Sequence, residues 1–316
     1  MSSEFVERLD YCWQQDKFVC VGLDPDLAKI PQILKDRDPD SVEDLVFRFN
    51  QEIVDATHDL VCAYKPNSAF YEALGAQGLS ALARTVRHIK DNYPDVSVIF
   101  DGKRGDIGNT NQGYVHAAFD ELGAHAATVN PYFGAMFFDD AGQSQFEALK
   151  PFLERKDKGI IALCRTSNKS AGEFQDLPID LTQISSGYRK KFGEMEELRE
   201  LVGQNTLPLY QIVAYRVSKY WNTNGNCALV VGAPYPEELA QTRRISGMPF
   251  LVPGVGAQQA DVRATVEAGM DGRTRGMIVN SSRGIIFASN GSDFAFAARQ
   301  ATEHLSQDIN KYRTNL

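Results

Sequence analysis

No apolar run in this chain approaches the roughly 20 residues that a membrane-spanning helix needs. There is also no surplus of positive charge. Against 41 Asp and Glu stand 33 Lys and Arg, giving a net charge of −8 and a pI near 5.2. That balance argues against nucleic acid or an anionic membrane surface as a partner. A small anionic substrate stays open, because it needs only a local positive pocket. Cysteine is scarce, with five in 316 residues. The number is odd and no Cys-x-x-Cys occurs, so neither a disulfide framework nor a zinc ribbon is expected. The five histidines (58, 88, 116, 125 and 304) form no closely spaced ligand pair, and no metal is expected. Met1-Ser2-Ser3-Glu4 lacks the basic and then apolar start of a signal peptide. Together these absences lead to the expectation of a cytoplasmic protein in a reducing compartment.

What is present is an ordinary globular balance, 43% hydrophobic and 23% charged, enough for one large domain over 1–316. Short apolar runs recur along the chain: 18–23, 60–64, 96–100, 126–130, 159–163, 227–231, 250–252 and 276–279. Cys20, Cys62 and Cys227 fall inside them and Cys164 stands at the end of one, in expected strands where reduced cysteine acts as a small hydrophobe. Segments with helical spacing lie between, such as Val42, Leu45, Val46, Phe49 and Ile53 behind the N-cap signature Ser41-x-x-Asp44. Strand and helix alternating eight times predict a (β/α)8 TIM barrel. An open doubly wound sheet is the alternative, but no Gly-x-Gly-x-x-Gly follows the first strand. The rhythm breaks once. Residues 169–205 are polar and charged, and are expected to form a loop-rich insertion between strands five and six, ahead of a helix over 208–221.

The stretch 100–114, FDGKRGDIGNTNQGY, is the most informative. It follows the apolar run 96–100, which is expected to be a buried parallel strand. Side chains on a strand alternate faces, so Asp101 and Lys103 project the same way. Asp106 lies just beyond, in a loop that Gly105 and Gly108 leave free to bend. A carboxylate, an ammonium and a second carboxylate at one strand end suggest a charged crevice rather than a solvated turn. Other polar residues stand at expected strand ends in the same way: Asp24, Lys65, Asn130, Ser167, Gln258 and Arg283. In a (β/α)8 barrel that rim is where catalytic groups lie.

Five segments carry a family resemblance: GLDPD at 22–26, YKPNSAF at 64–70, DGKRGDIGNT at 101–110, PGVGAQ at 253–258 and SSRG at 281–284. In this order, each at a strand end, they resemble the orotidine 5′-monophosphate decarboxylases. The similarity is to the longer bacterial subfamily with an insertion between strands five and six, and it covers nearly the whole chain. The resemblance implies loss of CO2 from C6 of a pyrimidine nucleotide, in the last step of UMP synthesis, with no metal and no organic cofactor. It implies that Lys103 is the proton donor and that Asp101 lies beside the substrate carboxylate. Lys65 would link Asp101 to the ribose, and Asp24 would accept from a ribose hydroxyl. Asp106, Ile107 and Thr110 would reach the partner subunit's site, so a homodimer with shared active sites is implied. Ser167 would read the pyrimidine edge. Gly254, Gly256, Gln258, Ser282 and Arg283 would hold the phosphate. One departure is the Ser282-Arg283 pair, where the family commonly has Gly before Arg. A Mg-dependent sugar-phosphate lyase on the same barrel is the second reading. Such enzymes carry an acid at the second-strand rim, where Lys65 would repel a metal. A third is a barrel that kept phosphate affinity and lost its chemistry.

Overall fold

The computed structural model describes residues 3–37, 40–255 and 261–316. Eight parallel strands close into a barrel: β1 (Val19–Leu23), β2 (Val61–Pro66), β3 (Ser97–Arg104), β4 (Ala126–Val129), β5 (Gly159–Arg165), β6 (Cys227–Val231), β7 (Phe250–Pro253) and β8 (Met277–Ser281). Each strand pairs with its sequence neighbours, and β8 returns to β1 with Val19 opposite Val279. Both strand faces are covered, one by the barrel interior and one by helices. Every residue of β1, β2, β6 and β8 is therefore buried, which is why these strands read as continuous apolar runs rather than alternating ones. The (β/α)8 barrel expected from the sequence is the architecture observed.

Helices cover the outside. The helix Val42–Thr57 starts where Ser41 Oγ accepts from the Asp44 N–H at 3.1 Å, satisfying one free donor of its first turn. It buries Leu45, Val46, Phe49, Ile53 and Val54, and Phe49 stacks on Phe287 and Phe294 from the last segment of the chain. The N-terminal helix Glu4–Gln14 packs beneath the barrel, where the Trp13 indole N–H donates to the Met277 carbonyl at 2.7 Å.

Three expectations need correction. The third strand does not stop at Phe100 but runs to Arg104, with its register to β4 shifting between Phe100 and Arg104. Asp101 and Lys103 are strand residues, as the alternation of their side chains required, and Lys103 sits in the left-handed region at φ 48°. Between β5 and β6 there is more order than a loop. The antiparallel pair Pro178–Asp180 and Thr206–Pro208 frames the helices Ser186–Phe192 and Glu196–Val202. The helix after it, Leu209–Arg216, widens into π-turns over Val217–Trp221. A small hairpin, Met136–Phe138 with Ser144–Phe146, also lies in the β4–β5 connection, in segments too short for periodicity to reveal. Among the described residues, no helix is long and apolar enough to cross a membrane.

Candidate active site

The C-terminal ends of the strands surround a cavity of about 300 Å³. Asp24, Lys65, Asp101 and Ser167 line it from the ends of β1, β2, β3 and β5. Gly254, Ser282 and Arg283 line it from the segments after β7 and β8. The strand order explains the convergence, since residues far apart in sequence stand at the same height on neighbouring strands. Of the expected site residues, Gly256 and Gln258 lie outside the described residues.

At the centre is a chain of charge. Lys65 Nζ donates to Asp101 Oδ2 at 2.8 Å, and Lys103 Nζ donates to Asp101 Oδ1 at 2.7 Å. Burial works against the Asp101 charge, but the two ammonium groups outweigh it and hold the carboxyl well below the usual range. Lys65 is sealed in, with 5% of its side chain exposed. Burial alone would favour its neutral form. Asp101 and then Asp24 overcome this and push its pKa upward. Lys103 differs, for its side chain is 47% exposed and it meets the cavity through Asp101 rather than forming a wall.

Sequence reasoning missed two groups here. The Thr128 hydroxyl, on β4, donates to Asp101 Oδ1 at 2.9 Å and accepts from the Lys103 backbone N–H at 2.9 Å. It thereby fixes both the carboxylate and the strained Lys103 backbone. The only sequence signal was a hydroxyl inside the apolar run Ala126–Val129. Asn67 is the second. Its backbone N–H donates to Asp24 Oδ1 at 3.3 Å, and it bridges Asp101 across the barrel rim. Asn280 also lines the cavity, with Oδ1 buried and unpaired.

Close approach at the far end depends on glycine. A Cβ on Gly22 would fall 1.8 Å from Ser282 Oγ, so β1 and the turn after β8 could not come together with a larger residue there. Gly254 lies at φ 99°, a conformation that side-chain-bearing residues rarely adopt.

Asp106, Ile107 and Thr110 do not line the cavity of their own chain. The Asp106 carboxylate instead accepts from the Ile107 N–H at 2.7 Å. Ile107 is 61% exposed, and Tyr132 and Phe133, in the loop after neighbouring β4, are also exposed. Asn130 caps that loop by accepting from the Tyr132 N–H. Among the described residues, no group of three or more His, Cys, Asp or Glu side chains could hold a metal ion. Both oxygens of Asp101 already face ammonium groups, so a divalent cation would have to displace a lysine.

A parallel barrel with an acid–base array at its strand ends and a cavity flanked by an arginine is the arrangement of a (β/α)8-barrel enzyme. The chain belongs to the orotidine 5′-phosphate decarboxylase / HUMPS family, whose model matches residues 17–295. It is 43% identical over 311 residues to the orotidine 5′-phosphate decarboxylase of Cellvibrio japonicus, spanning 98% of this chain and 99% of that one. The enzyme of that name from Janthinobacterium sp. is 43% identical over 310 residues, spanning 98% of each chain. Among solved structures, the OMP decarboxylase of Leishmania donovani superposes with a TM-score of 0.75 at 31% identity, covering 99% of both chains.

Proposed function

We propose that this chain converts orotidine 5′-monophosphate to UMP and CO2, the closing step of UMP synthesis. The observation that carries the reading is the Lys65–Asp101–Lys103 array at the rim of the cavity, in a chain of this family. The reaction breaks the bond between C6 and its carboxylate and leaves the electron pair on C6. That carbanion has no conjugated sink, so fixed positive charge must stabilise it. Lys103 supplies the charge and then its proton to C6, and the resulting amine is reprotonated from solvent. Asp101 pairs with both lysines and faces the substrate carboxylate, a repulsion that eases as CO2 departs. Lys65 fixes Asp101 and reaches toward the ribose, and Asp24 accepts a hydrogen bond from a ribose hydroxyl. Ser167 reads the base. Arg283, Ser282 and Gly254 hold the phosphate, together with Gly256 and Gln258. Phosphate contacts remote from C6 then help to organise the reacting end.

The exposed Ile107, Tyr132 and Phe133 support a homodimer in which Asp106, Ile107 and Thr110 complete the partner's site. Five free, buried cysteines support a reducing cytoplasm as the place of action.

The test is an absorbance assay with orotidine 5′-monophosphate in excess EDTA, on wild type and Lys103→Ala. Turnover by the wild type and its collapse in the variant are expected. Activity that requires added Mg²⁺ would favour the lyase reading, and full turnover by the variant would remove Lys103 from the chemistry.

A further inference from the structure

Among the described residues, the segment between β5 and β6 lines the cavity through the turn that carries Ser167. Arg165, the last residue of β5, is 3% exposed. Its Nη2 donates to Asp176 Oδ2 at 3.0 Å. Its Nε lies 2.8 Å from Asp176 Oδ1, a charge contact without hydrogen-bond geometry. The guanidinium stacks 4.2 Å from the centre of the Tyr235 ring, while Nη1 donates to the Thr166 carbonyl at 3.0 Å. A nearly sealed cation is thus matched by a carboxylate from the inserted segment.

The neighbouring residue repeats the pattern with neutral groups. The Thr166 N–H donates to Gln175 Oε1 at 2.8 Å, and Gln175 Nε2 donates back to Thr166 Oγ1 at 3.0 Å. The Thr166 hydroxyl donates onward to Asn168 Oδ1 at 2.6 Å. Ser167 therefore sits between two anchored residues. Behind it, a Cβ on Gly232 would come within 2.8 Å of Ser167 Cα and 2.9 Å of its backbone nitrogen, so the turn has no slack toward β6. Ser167 itself faces the cavity.

We infer that Gln175 and Asp176 are positioning residues that set Ser167 for recognition of the pyrimidine edge, and that this is one task of the inserted segment. The inference rests on the decarboxylase reading of the cavity. The chemistry follows from directionality. A hydrogen bond to a flat base edge needs its partner placed to a few tenths of an ångström, whereas the ribose and phosphate are gripped by groups on other strands. Loosening the Ser167 turn should therefore cost base recognition alone.

The experiment uses the full-length chain with Gln175→Ala, Gln175→Glu and Asp176→Asn. Dissociation constants for UMP and for ribose 5-phosphate are measured by calorimetry, beside melting temperatures and the split between KM and kcat. For Gln175→Ala, UMP should bind about tenfold more weakly, one directional hydrogen bond's worth, with ribose 5-phosphate within about twofold of wild type. Gln175→Glu keeps the acceptor that faces the Thr166 N–H and should recover part of the loss. If Asp176→Asn fails to fold because Arg165 loses its counter-charge, Gln175, which is neutral, carries the test. Parallel weakening of both ligands, or no change in either, would overturn the positioning role. Wild type binding UMP no better than ribose 5-phosphate would instead overturn the reading of the cavity as a nucleotide site.

Discussion

Lys65 and Asp101 meet at 2.8 Å with both side chains more than nine-tenths buried, so loss of Asp101 strands the Lys65 charge in the barrel, and loss of Lys65 leaves Asp101 Oδ2 without its ammonium, with Lys103 on Oδ1 alone. Breaking such a pair from one side generally costs about 3–5 kcal/mol, while replacing both partners with apolar groups is close to neutral. Lys65→Met should therefore lower unfolding stability by about that amount and abolish turnover. Adding Asp101→Leu should restore much of the stability and none of the activity. Urea unfolding and the decarboxylation assay on the single and double variants separate the two effects. Activity regained in the double variant would contradict a catalytic role for the pair.

Lys103 poses the opposite case. Its side chain is 47% exposed, and half-solvated ion pairs contribute at most about 1 kcal/mol. Lys103→Ala should unfold within about 1 kcal/mol of wild type yet lose at least about 10³-fold in kcat, the scale of a positioned proton donor. Its backbone at φ 48° favours glycine, so Lys103→Gly should be no less stable than Lys103→Ala. A kcat within about tenfold of wild type would place the proton elsewhere.

His125 gives the fold a pH dependence of its own. Burial, helped by Arg8, Lys158 and Lys90, pushes its pKa down to about 3. Its Nδ1 accepts from the Val98 N–H at 2.9 Å, tying β3 to the start of β4. A histidine kept neutral in the fold contributes stability that is full above its unfolded value near 6.5 and declines as the pH falls toward the folded value. About 2 kcal/mol should be lost between pH 7 and pH 5 from this group alone. Urea midpoints across that range should fall in wild type and fall less steeply in His125→Asn. Equal slopes would show that the imidazole does not titrate as its surroundings require.

The exposed apolar rim formed by Ile107, Tyr132 and Phe133 is the surface on which the dimer proposal stands. Ile107→Asp should shift sedimentation from dimer to monomer, and specific activity should then fall on dilution. An intact dimer with unchanged activity would move the interface to another face.

The barrel was legible because its strands are buried on both sides, which turns each one into an unbroken apolar run such as Cys227–Val231. Asp101, Lys65 and Arg283 were legible because a charge at the end of such a run has few other reasons to be there. Thr128 was not. A hydroxyl inside a strand does not say which carboxylate it will face, and its contact with Asp101 exists only once β3 and β4 pair. The link from Arg165 to Asp176 was hidden for a related reason. Ten residues of turn and short helix lie between them, and no periodicity marks that path. The spacing of Asp101, Lys103 and Asp106 suggested one charged cluster. The strand ends at Arg104, and beyond it the Asp106 carboxylate accepts from the Ile107 amide rather than joining the Asp101–Lys103 pair.

Closure of the barrel by β8 against β1, with Gly22 pressed to Ser282, has a consequence during synthesis. A nascent chain halted before Met277 exposes two unpaired sheet edges and lacks Ser282 and Arg283 altogether. The cavity therefore forms only once the chain has been made past Arg283, and products that stop short of it should be inert and prone to stick to one another.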